Sequence, residues 1–263
     1  MMKRLYVLLI LSLAGLLWAC ETWTSGGDGA ASPGDGIGQG GSMARFALSG
    51  DYLYAVDHST LKMFDVSTPQ APQYLQGKDQ YLDFGIETIF PMDTLLFLGS
   101  QTGMYVFNIT RAEFPQRWGH VSHITACDPV VASGSYAYVT LNSENYWCGR
   151  SSNELRVYDL SDPANPLLIH TETGFKQPRG LGIDGNKLFL CDNGLKVYDV
   201  SNPAKPVWID DVTDIPEAKG MDACDVIPLG GILLLTGAGG LYQFDYTGEA
   251  LSFISKIEVL HEK

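Results

Sequence analysis

The chain has 263 residues, of which 45% are hydrophobic and 18% charged. This composition is typical of a single folded domain with a sizeable core, and it excludes a disordered chain. The 17 basic and 30 acidic side chains give a formal net charge of −13 at pH 7. Because a field of this sign repels phosphates, we expect no binding to nucleic acid and none to anionic lipid by charge alone.

Residues 1–20, MMKRLYVLLILSLAGLLWAC, have the pattern of an export signal. Two basic residues precede an apolar run over residues 5–18, and the small residue Ala19 stands before Cys20. The run is shorter than the roughly 18 residues that a membrane-spanning helix needs. The ending LWAC resembles the bacterial lipobox, in which the cysteine becomes the new N-terminus and receives acyl chains. We therefore predict a lipoprotein signal peptide over residues 1–19 and lipidation of Cys20, with an ordinary cleaved signal as the alternative.

The next segment is rich in glycine. Residues 24–42, TSGGDGAASPGDGIGQGGS, contain eight glycines in nineteen positions and show no apolar periodicity. Such a segment behaves as a flexible chain that spans about 25 Å on average. The sequence thus predicts a lipidated cysteine and flexible tether over residues 20–42, followed by a folded domain over residues 43–263. From Cys20 onward the chain has 15 basic and 30 acidic groups, a net charge of −15, because both basic residues of the signal precede it.

One sequence unit recurs five times in the folded part. Each copy is an apolar run that ends in an anchor residue, Asp or Asn, and three copies continue with a proline-containing turn. The copies are LKMFDVSTPQAP from Leu61, MYVFNITRAEFP from Met104, LRVYDLSDPANP from Leu155, LKVYDVSNPAKP from Leu195 and LYQFDYTGEALS from Leu241. The anchors are Asp65, Asn108, Asp159, Asp199 and Asp245, spaced 43, 51, 40 and 46 residues apart.

Two further strand candidates precede each copy, such as GLGIDG and KLFLCD before Leu195. Tyr, Phe, Val and Leu dominate these runs, and residues typical of tight turns, such as Asp-Gly-Asn at 184–186, separate them. The second proline of each turn stands where the outermost strand begins, a place that tolerates a missing backbone donor. A period of 40 to 45 residues with four strands per unit predicts an all-β, five-bladed β-propeller of four-stranded antiparallel blades.

The sequence resembles the LVIVD-repeat proteins of exported bacterial lipoproteins. The resemblance covers residues 44–259 and is carried by the five units and by three longer stretches. These are ACDPVVASGSYAYVTL (126–141), GLGIDGNKLFLCDNGLKVYDVSNP (180–203) and DVIPLGGILLLTGAGGLYQFDY (225–246). The second and fifth units lack the usual Ser-x-Pro turn. The resemblance implies a β-propeller in an exported protein and brings no catalytic residues with it.

Propeller geometry predicts which residues share a face. The connection between the second and third strands of a blade lies on the same face as the connections between blades, and ligands usually bind there. On that face we expect Asp57, His58, Gln101, Asp192, Asn193, His120, His123, Arg179, Asp222, residues 79–83 and the long insertion at 142–153.

Four cysteines follow Cys20, and export permits them to form disulfides. Cys127 begins the first strand of blade 3 and Cys148 lies in the insertion of that blade, so we pair them. A bridge between Cys191 and Cys224 competes with the alternative that both are free thiols. No C-x-x-C spacing occurs, and zinc is not expected.

A bridge from Cys127 to Cys148 would stabilise the fold by about 3 kcal/mol in the chain-entropy model and would hold the insertion still. Asn145, Tyr146, Trp147 and Arg150 would then form a rigid aromatic and polar patch, a composition that binds sugars or protein partners. We predict that these four residues, together with His120 and Arg179, bind a ligand. The alternative is that Tyr146 and Trp147 only plug the mouth of the channel.

The sequence assigns no catalytic residue, metal or cofactor. The G-x-S-x-G, H-E-x-x-H and Walker patterns are absent, and His120 and His123 do not share a face in an extended strand. The enzymatic alternative is a glycosidase that uses two carboxylates from Asp57, Asp128, Asp192, Asp222, Asp225 and Glu87 near the central channel, with the first four as the named candidates. Against it, aspartates at strand ends and turns accept backbone hydrogen bonds and need no further role.

These observations lead to one principal hypothesis and two alternatives. The principal hypothesis is a propeller anchored through Cys20 to the bacterial outer membrane, facing the periplasm or the surface, that binds or scaffolds a glycan or an envelope protein. Glu21 supports the outer membrane because it is not the aspartate that retains lipoproteins at the inner membrane in some bacteria. The alternatives are a carbohydrate-active hydrolase and a structural member of a surface complex.

Overall fold

Four short strands follow one another along the chain in each repeat, and they pair as an antiparallel sheet in chain order. The computed structural model describes residues 40–82, 84–122, 129–142 and 153–259. Five such sheets are arranged around a central axis, with the first strand of each sheet innermost. This confirms the predicted all-β, five-bladed propeller.

The strands have the following bounds. Blade 1 contains β1 (Phe46–Ser49), β2 (Tyr52–Asp57), β3 (Thr60–Asp65), β4 (Gln73–Tyr74) and β5 (Gln80–Tyr81). Blade 2 contains β6 (Ile86–Met92), β7 (Leu95–Ser100), β8 (Gly103–Asn108) and β9 (Gln116–Ser122). Blade 3 contains β10 (Val130–Ser133), β11 (Tyr136–Leu141), β12 (Glu154–Asp159) and β13 (Leu167–Thr173). Blade 4 contains β14 (Pro178–Asp184), β15 (Lys187–Asp192), β16 (Leu195–Asp199) and β17 (Val207–Asp211). Blade 5 contains β18 (Asp225–Leu229), β19 (Ile232–Gly237), β20 (Gly240–Asp245) and β21 (Ser252–Glu258).

Two details depart from a uniform four-stranded repeat. The outermost position of blade 1 is shared by β4 and β5, which pair with opposite ends of β3. Gly77, with φ of +78°, turns the chain away between them. In addition, a 3₁₀ helix (Pro216–Ala218) lies in the connection from blade 4 to blade 5.

Among the described residues, no helix is long and apolar enough to cross a membrane.

The repeat anchors end the third strand of each blade and stabilise the turn that follows. Asp199 Oδ1 accepts hydrogen bonds from the backbone N–H and the hydroxyl of Ser201, at 2.8 and 2.6 Å. The other four anchors accept the backbone N–H two residues later in the same way. The hydroxyl and backbone donors of Ser201 lower the pKa of Asp199, since they favour its ionised form. The Asp-x-Ser pattern is therefore explained by turn geometry.

The core consists of four apolar clusters, and each cluster joins two neighbouring blades. One example is the contact region of blades 4 and 5, where Phe189 and Leu195 pack with Val226 and Leu235. Blades 2, 3 and 4 are covered by a neighbour on both faces, so their second strands are continuous buried runs such as β15, whereas β2 of blade 1 and β19 of blade 5 alternate between buried and more exposed residues. The blades are thus held together by side-chain packing between sheets.

Residues 41–44, which we call the closing segment, precede β1 and cross from blade 1 to three other blades. The Leu181 N–H of blade 4 donates to Ser42 Oγ at 2.6 Å, and Ser42 Oγ donates to Asp225 of blade 5 at 3.3 Å. The Ile89 N–H of blade 2 donates to the carbonyl of Ala44 at 2.9 Å. Ser42 is completely buried. The packed part of the chain thus includes the last residues of the stretch that composition alone assigns to the tether.

Candidate functional site

One face of the propeller carries the connections between the second and third strands and the connections between blades; we call it the top face. Hydrogen bonds join the two kinds of connection. The Ile86 N–H donates to the carbonyl of His58 at 2.7 Å, and the Gln101 N–H donates to the carbonyl of Gly85 at 3.0 Å. The starts of all five inner strands therefore meet on this face.

A pocket of about 360 Å³ opens at the centre of the top face, and we call it the central pocket. Its volume lies within the range of about 300 to 1,000 Å³ that is typical of small-molecule sites. Four blades and the closing segment contribute to it. The lining residues are Met43, Glu87, Thr88, Pro129, Asn142, Gln177, Pro178, Arg179 and Cys224.

The two charged residues of the central pocket lie on different blades and are held in place by hydrogen bonds. Gln101 Nε2 donates to Glu87 Oε1 at 3.0 Å. Arg179 Nη1 donates to Asp222 Oδ1 at 3.1 Å, and its Nη2 donates to Gln177 Oε1. The carbonyl of Arg179 accepts the hydroxyl of Thr140 of blade 3 at 2.6 Å. A carboxylate and a guanidinium are thus presented in fixed positions.

Beside the pocket, the carboxyl group of Asp225 is buried where blades 4 and 5 meet the closing segment. It accepts the hydroxyl of Ser42 and the backbone N–H groups of Val226, Met43 and Ser42. Burial raises the pKa of Asp225 to about 6, and these donors oppose the rise only in part. Glycine is required opposite the carboxyl, because a Cβ at Gly180 would lie 2.7 Å from Asp225 Cα.

Two exposed aromatic rings lie on the top face where the chain passes from blade 1 to blade 2, outside the lining of the central pocket. Tyr81 ends β5 at the outer edge of blade 1 and is 82% exposed. Phe84 is 73% exposed, and its ring stacks on His58 with centroids 6.2 Å apart. The Leu82 N–H donates to the carbonyl of Ser59, which holds this connection on the top face.

The acids of the enzymatic alternative lie apart from one another. Asp57 is exposed on blade 1 and pairs with Lys62 at 3.1 Å. Asp192 is buried in blade 4 and pairs with Lys196 at 2.7 Å. Asp222 pairs with Arg179, and Asp128 lies outside the described residues. Of the described acids, Glu87 is the one that lines the central pocket.

The predicted binding residues have different outcomes. Arg179 lines the central pocket. His120 is exposed on the outer strand of blade 2 and stacks on Tyr105, with centroids 4.3 Å apart, outside this pocket. Asn145, Tyr146, Trp147 and Arg150 lie outside the described residues, as do Cys20, Cys127, Cys148 and His123. The insertion that carries the predicted patch begins at Asn142, which lines the pocket.

The bridge considered between Cys191 and Cys224 is not formed, because both are free thiols. Cys191 is fully buried in the core between blades 4 and 5, and burial raises the pKa of its thiol. Cys224 is exposed, and its Sγ accepts a hydrogen bond from Arg179 at 3.4 Å. In the described ranges, no group of three or more His, Cys, Asp or Glu side chains is placed to hold a metal ion.

Sequence reasoning missed several residues of the central pocket. Pro129, Gln177 and Thr88 carry no motif, and their only signal is their position at the start of an inner strand. That position follows from the repeat alignment. The repeat alignment does not show which of these side chains point toward the channel.

Comparison with known proteins gives a family and a fold. The family model of the LVIVD repeat matches residues 40–76, 125–172 and 179–214. No curated protein matches the chain.

Several solved structures have a similar fold. A functionally unknown protein from Desulfotomaculum acetoxidans is 13% identical with a TM-score of 0.61, and the match covers 82% of this chain and 69% of that one. A protein from Lactobacillus plantarum is 17% identical with a TM-score of 0.60, covering 79% and 68%. Apo AztD from Citrobacter koseri is 14% identical with a TM-score of 0.58, covering 80% and 61%. The chain thus spans about two thirds of the length of these structures, and at this identity the likeness shows the fold alone.

Proposed function

Since this chain contains LVIVD repeats and folds as a five-bladed propeller, we propose that it is a binding module of the bacterial cell envelope whose central pocket takes a carbohydrate. The observation that carries the proposal is the central pocket, in which Glu87 and Arg179 are held by hydrogen bonds on the same face of the propeller as the exposed ring of Phe84. Sugars are bound by such combinations, because hydroxyl groups pair with charged side chains and the apolar ring face stacks on an aromatic ring.

The proposal includes attachment to the outer membrane through a lipid on Cys20, on its periplasmic or outer side. Its support is the sequence of residues 1–42, in which a short export signal ends in a cysteine and a glycine-rich stretch follows. The closing segment at the end of this stretch packs on the top face.

Binding is favoured over hydrolysis because of how the described acids are arranged. Hydrolysis of a glycosidic bond requires two carboxyl groups about 5 to 10 Å apart across the substrate. Glu87 lines the central pocket, whereas Asp57 and Asp192 pair with lysines outside it and Asp222 is paired with Arg179 of the pocket. Asp225 has a raised pKa, but its carboxyl is covered by the closing segment.

The test is a glycan array followed by an equilibrium titration of the best glycan against the full chain in detergent. The double variant Tyr81→Ala, Phe84→Ala removes the exposed rings, and we expect it to weaken binding roughly tenfold or more, since stacking rings contribute about 1 to 3 kcal/mol. The variant Glu87→Gln removes a charge and should weaken binding as well. Trp118→Ala is the matched control, because Trp118 is an exposed ring on the outer strand of blade 2.

Two outcomes would contradict the proposal. In one, no glycan binds. In the other, a glycan binds but the Trp118 variant weakens binding as much as the Tyr81 and Phe84 variant, so that the site lies elsewhere. Release of shorter sugars from a bound oligosaccharide would instead favour the hydrolase.

A further inference from the structure

A second pocket of about 350 Å³ lies on the top face over blade 4. It is bounded by the connection from β15 to β16 and by the connections that lead into and out of the blade. We call it the lysine pocket, and its lining residues are Gly174, Lys176, Asp192, Asn193, Gly194, Leu195, Lys196, Asp211, Val212, Thr213, Ala218, Lys219 and Gly220. It shares no lining residue with the central pocket.

Three lysines from three separate elements converge on this pocket. Lys176 lies in the connection from blade 3, Lys196 is the second residue of β16, and Lys219 follows the 3₁₀ helix. The whole chain has 17 basic residues against 30 acidic ones. A local group of three lysines is therefore unusual for this protein and requires an explanation.

The acids that line the pocket do not neutralise all three charges. Asp192 is buried, pairs with Lys196 at 2.7 Å and also accepts the backbone N–H of Lys176. Asp211 accepts the backbone N–H of Thr213 at 2.7 Å. Neither the Lys176 side chain nor that of Lys219 forms an ion pair with another described residue. Three lysines against two aspartates leave the lining with a net charge of +1 in a chain of −13.

Lys196 is held in place, whereas the other two lysines are exposed at the rim. The ammonium group of Lys196 lies 5.0 Å from the centroid of the Phe175 ring and is fixed by Asp192 as well. Lys176 and Lys219 are exposed and their charges are available to a ligand. Lysine presents a point charge with rotatable donors and so tolerates carboxylate, sulfate or phosphate groups.

Three buried apolar residues contribute to the lining of the pocket. Leu195, Val212 and Ala218 line it and are buried in the core between blades 4 and 5. Asn193 and Thr213 add polar side chains among the exposed residues of the lining. A ligand that matches this arrangement has an anionic group, hydroxyl groups and an apolar face.

We propose that the lysine pocket binds an anionic sugar unit, with its acidic group held by Lys176 and Lys219 and the apolar face of its ring on Val212 and Ala218. This inference does not depend on the carbohydrate specificity of the central pocket, because the two pockets have no lining residue in common. The acidic group is a carboxylate, as in a uronic acid, or a phosphate, and the experiment distinguishes the two.

The test follows the backbone amide resonances of Gly194 and Gly220 in the isotope-labelled full chain during titration with four probes. Galacturonic acid and glucose 6-phosphate carry the two acidic groups, galactose is the neutral analogue, and inorganic phosphate lacks a sugar. We expect at least one of the acidic sugars to shift both resonances, with roughly fivefold weaker binding for Lys176→Gln and again for Lys219→Gln. The tighter of the two acidic sugars identifies the acidic group.

Lys205→Gln is the matched control, since Lys205 is an exposed lysine of the same blade in the turn after β16, at the opposite end from the lysine pocket. Lys196 is not substituted, because its loss would leave the Asp192 carboxylate buried without its partner. Higher salt should weaken binding of the acidic sugar and leave the resonances of the free protein unchanged.

Four results would overturn the inference. Neither acidic sugar shifts the two resonances, or galactose binds as tightly as galacturonic acid. Inorganic phosphate binds as tightly as glucose 6-phosphate, or the Lys205 variant weakens binding as much as the pocket variants do. Gly194 and Gly220 line the lysine pocket and not the central pocket. Their resonances therefore test this inference even if the central pocket binds no glycan.

Discussion

The carboxyl group of Asp225 differs from those of the repeat anchors, although all are aspartates near strand ends. Anchors such as Asp199 are only partly buried and accept short hydrogen bonds from the following turn, which lowers the pKa of Asp199. Asp225 also accepts hydrogen bonds, but it is buried beneath the closing segment, and burial raises its pKa to about 6. Desolvation therefore outweighs hydrogen bonding at this one site.

The raised pKa of Asp225 makes stability depend on pH in a predictable direction. In the unfolded chain an aspartate has a pKa of about 3.9, so the folded protein binds the proton more tightly. The resulting stabilisation is complete below the unfolded pKa and is lost as the pH rises through about 6. We expect Asp225 to make the protein more stable at pH 5 than at pH 7 by roughly 1 kcal/mol.

The measurement compares the free energy of unfolding of the wild type and of Asp225→Asn, by chemical denaturation at pH 5 and pH 7. The difference between the two proteins isolates Asp225, because the histidines and other acids titrate in both. The wild type should gain stability relative to the variant as the pH falls. An unchanged difference between the two pH values would contradict the assigned pKa.

For single residues, the sequence predicts hydrogen bonds between neighbours along the chain. It does not predict hydrogen bonds between residues on different blades. The Asp-x-Ser pattern identifies the anchor turns because donor and acceptor are two residues apart. Ser42 and Asp225 are 183 residues apart. Nothing in the composition of the glycine-rich stretch distinguishes Ser42, which is buried, from the other serines of the predicted tether.

Among the structural elements, the closing segment is the one whose contacts with other blades the sequence did not predict. Its contacts include hydrogen bonds to blades 2, 4 and 5, and the Ser42 hydroxyl provides two of them. The Leu181 N–H of β14 is fully buried and donates to the Ser42 hydroxyl. Removal of this hydroxyl would leave a buried donor without a partner, which costs about 1 to 3 kcal/mol.

We therefore expect Ser42→Ala to lower the free energy of unfolding by about 1 to 3 kcal/mol and to speed hydrogen exchange at the Leu181 amide. Ser122→Ala is the control, since Ser122 is exposed in β9 and its loss should change stability by about 0.5 kcal/mol at most. If both variants unfold alike and the exchange of Leu181 is unchanged, the closing segment does not stabilise the inner strands.

The strands themselves could be predicted because their signals are local. Pro206, for example, marks the start of β17, and the alternation of Leu195, Val197 and Asp199 marks β16.

The outermost position of blade 1 is less regular. There the second proline at Pro72 is followed by only two paired residues, because the chain turns away at Gly77 and returns as β5. Register in such an edge strand is set by few contacts, and so the sequence pattern specifies it weakly.

At the scale of the whole molecule, the central pocket consists of residues from several repeats. The central pocket takes Glu87 from blade 2, Asn142 from blade 3 and Arg179 from blade 4. A repeat alignment predicts that these residues lie on the top face, since each lies near a strand end. It does not predict which side chains meet across the channel, because this depends on the rotation between blades.

The way the ring closes leads to a last prediction. In the described ranges, each blade is built from consecutive strands, so the first and last blades exchange no strand. The closing segment instead bonds to blade 5 through Asp225 and to blade 4 through Leu181. A chain that begins at Arg45 should therefore be less stable than a chain that begins at Gly40, by more than the effect of Ser42→Ala, because it loses the whole segment.

The shorter chain should also lose the pH effect. Without residues 41–44 the carboxyl of Asp225 is open to water, so its pKa returns toward that of an ordinary aspartate and the extra stability at pH 5 disappears. Denaturation of both chains at pH 5 and pH 7, each with the same initiator methionine, measures the two effects together. Equal stability and equal pH dependence would mean that blades 1 and 5 hold the ring closed without this segment. Lower stability with an unchanged pH dependence would mean that the segment closes the ring but that Asp225 is buried by the blades themselves.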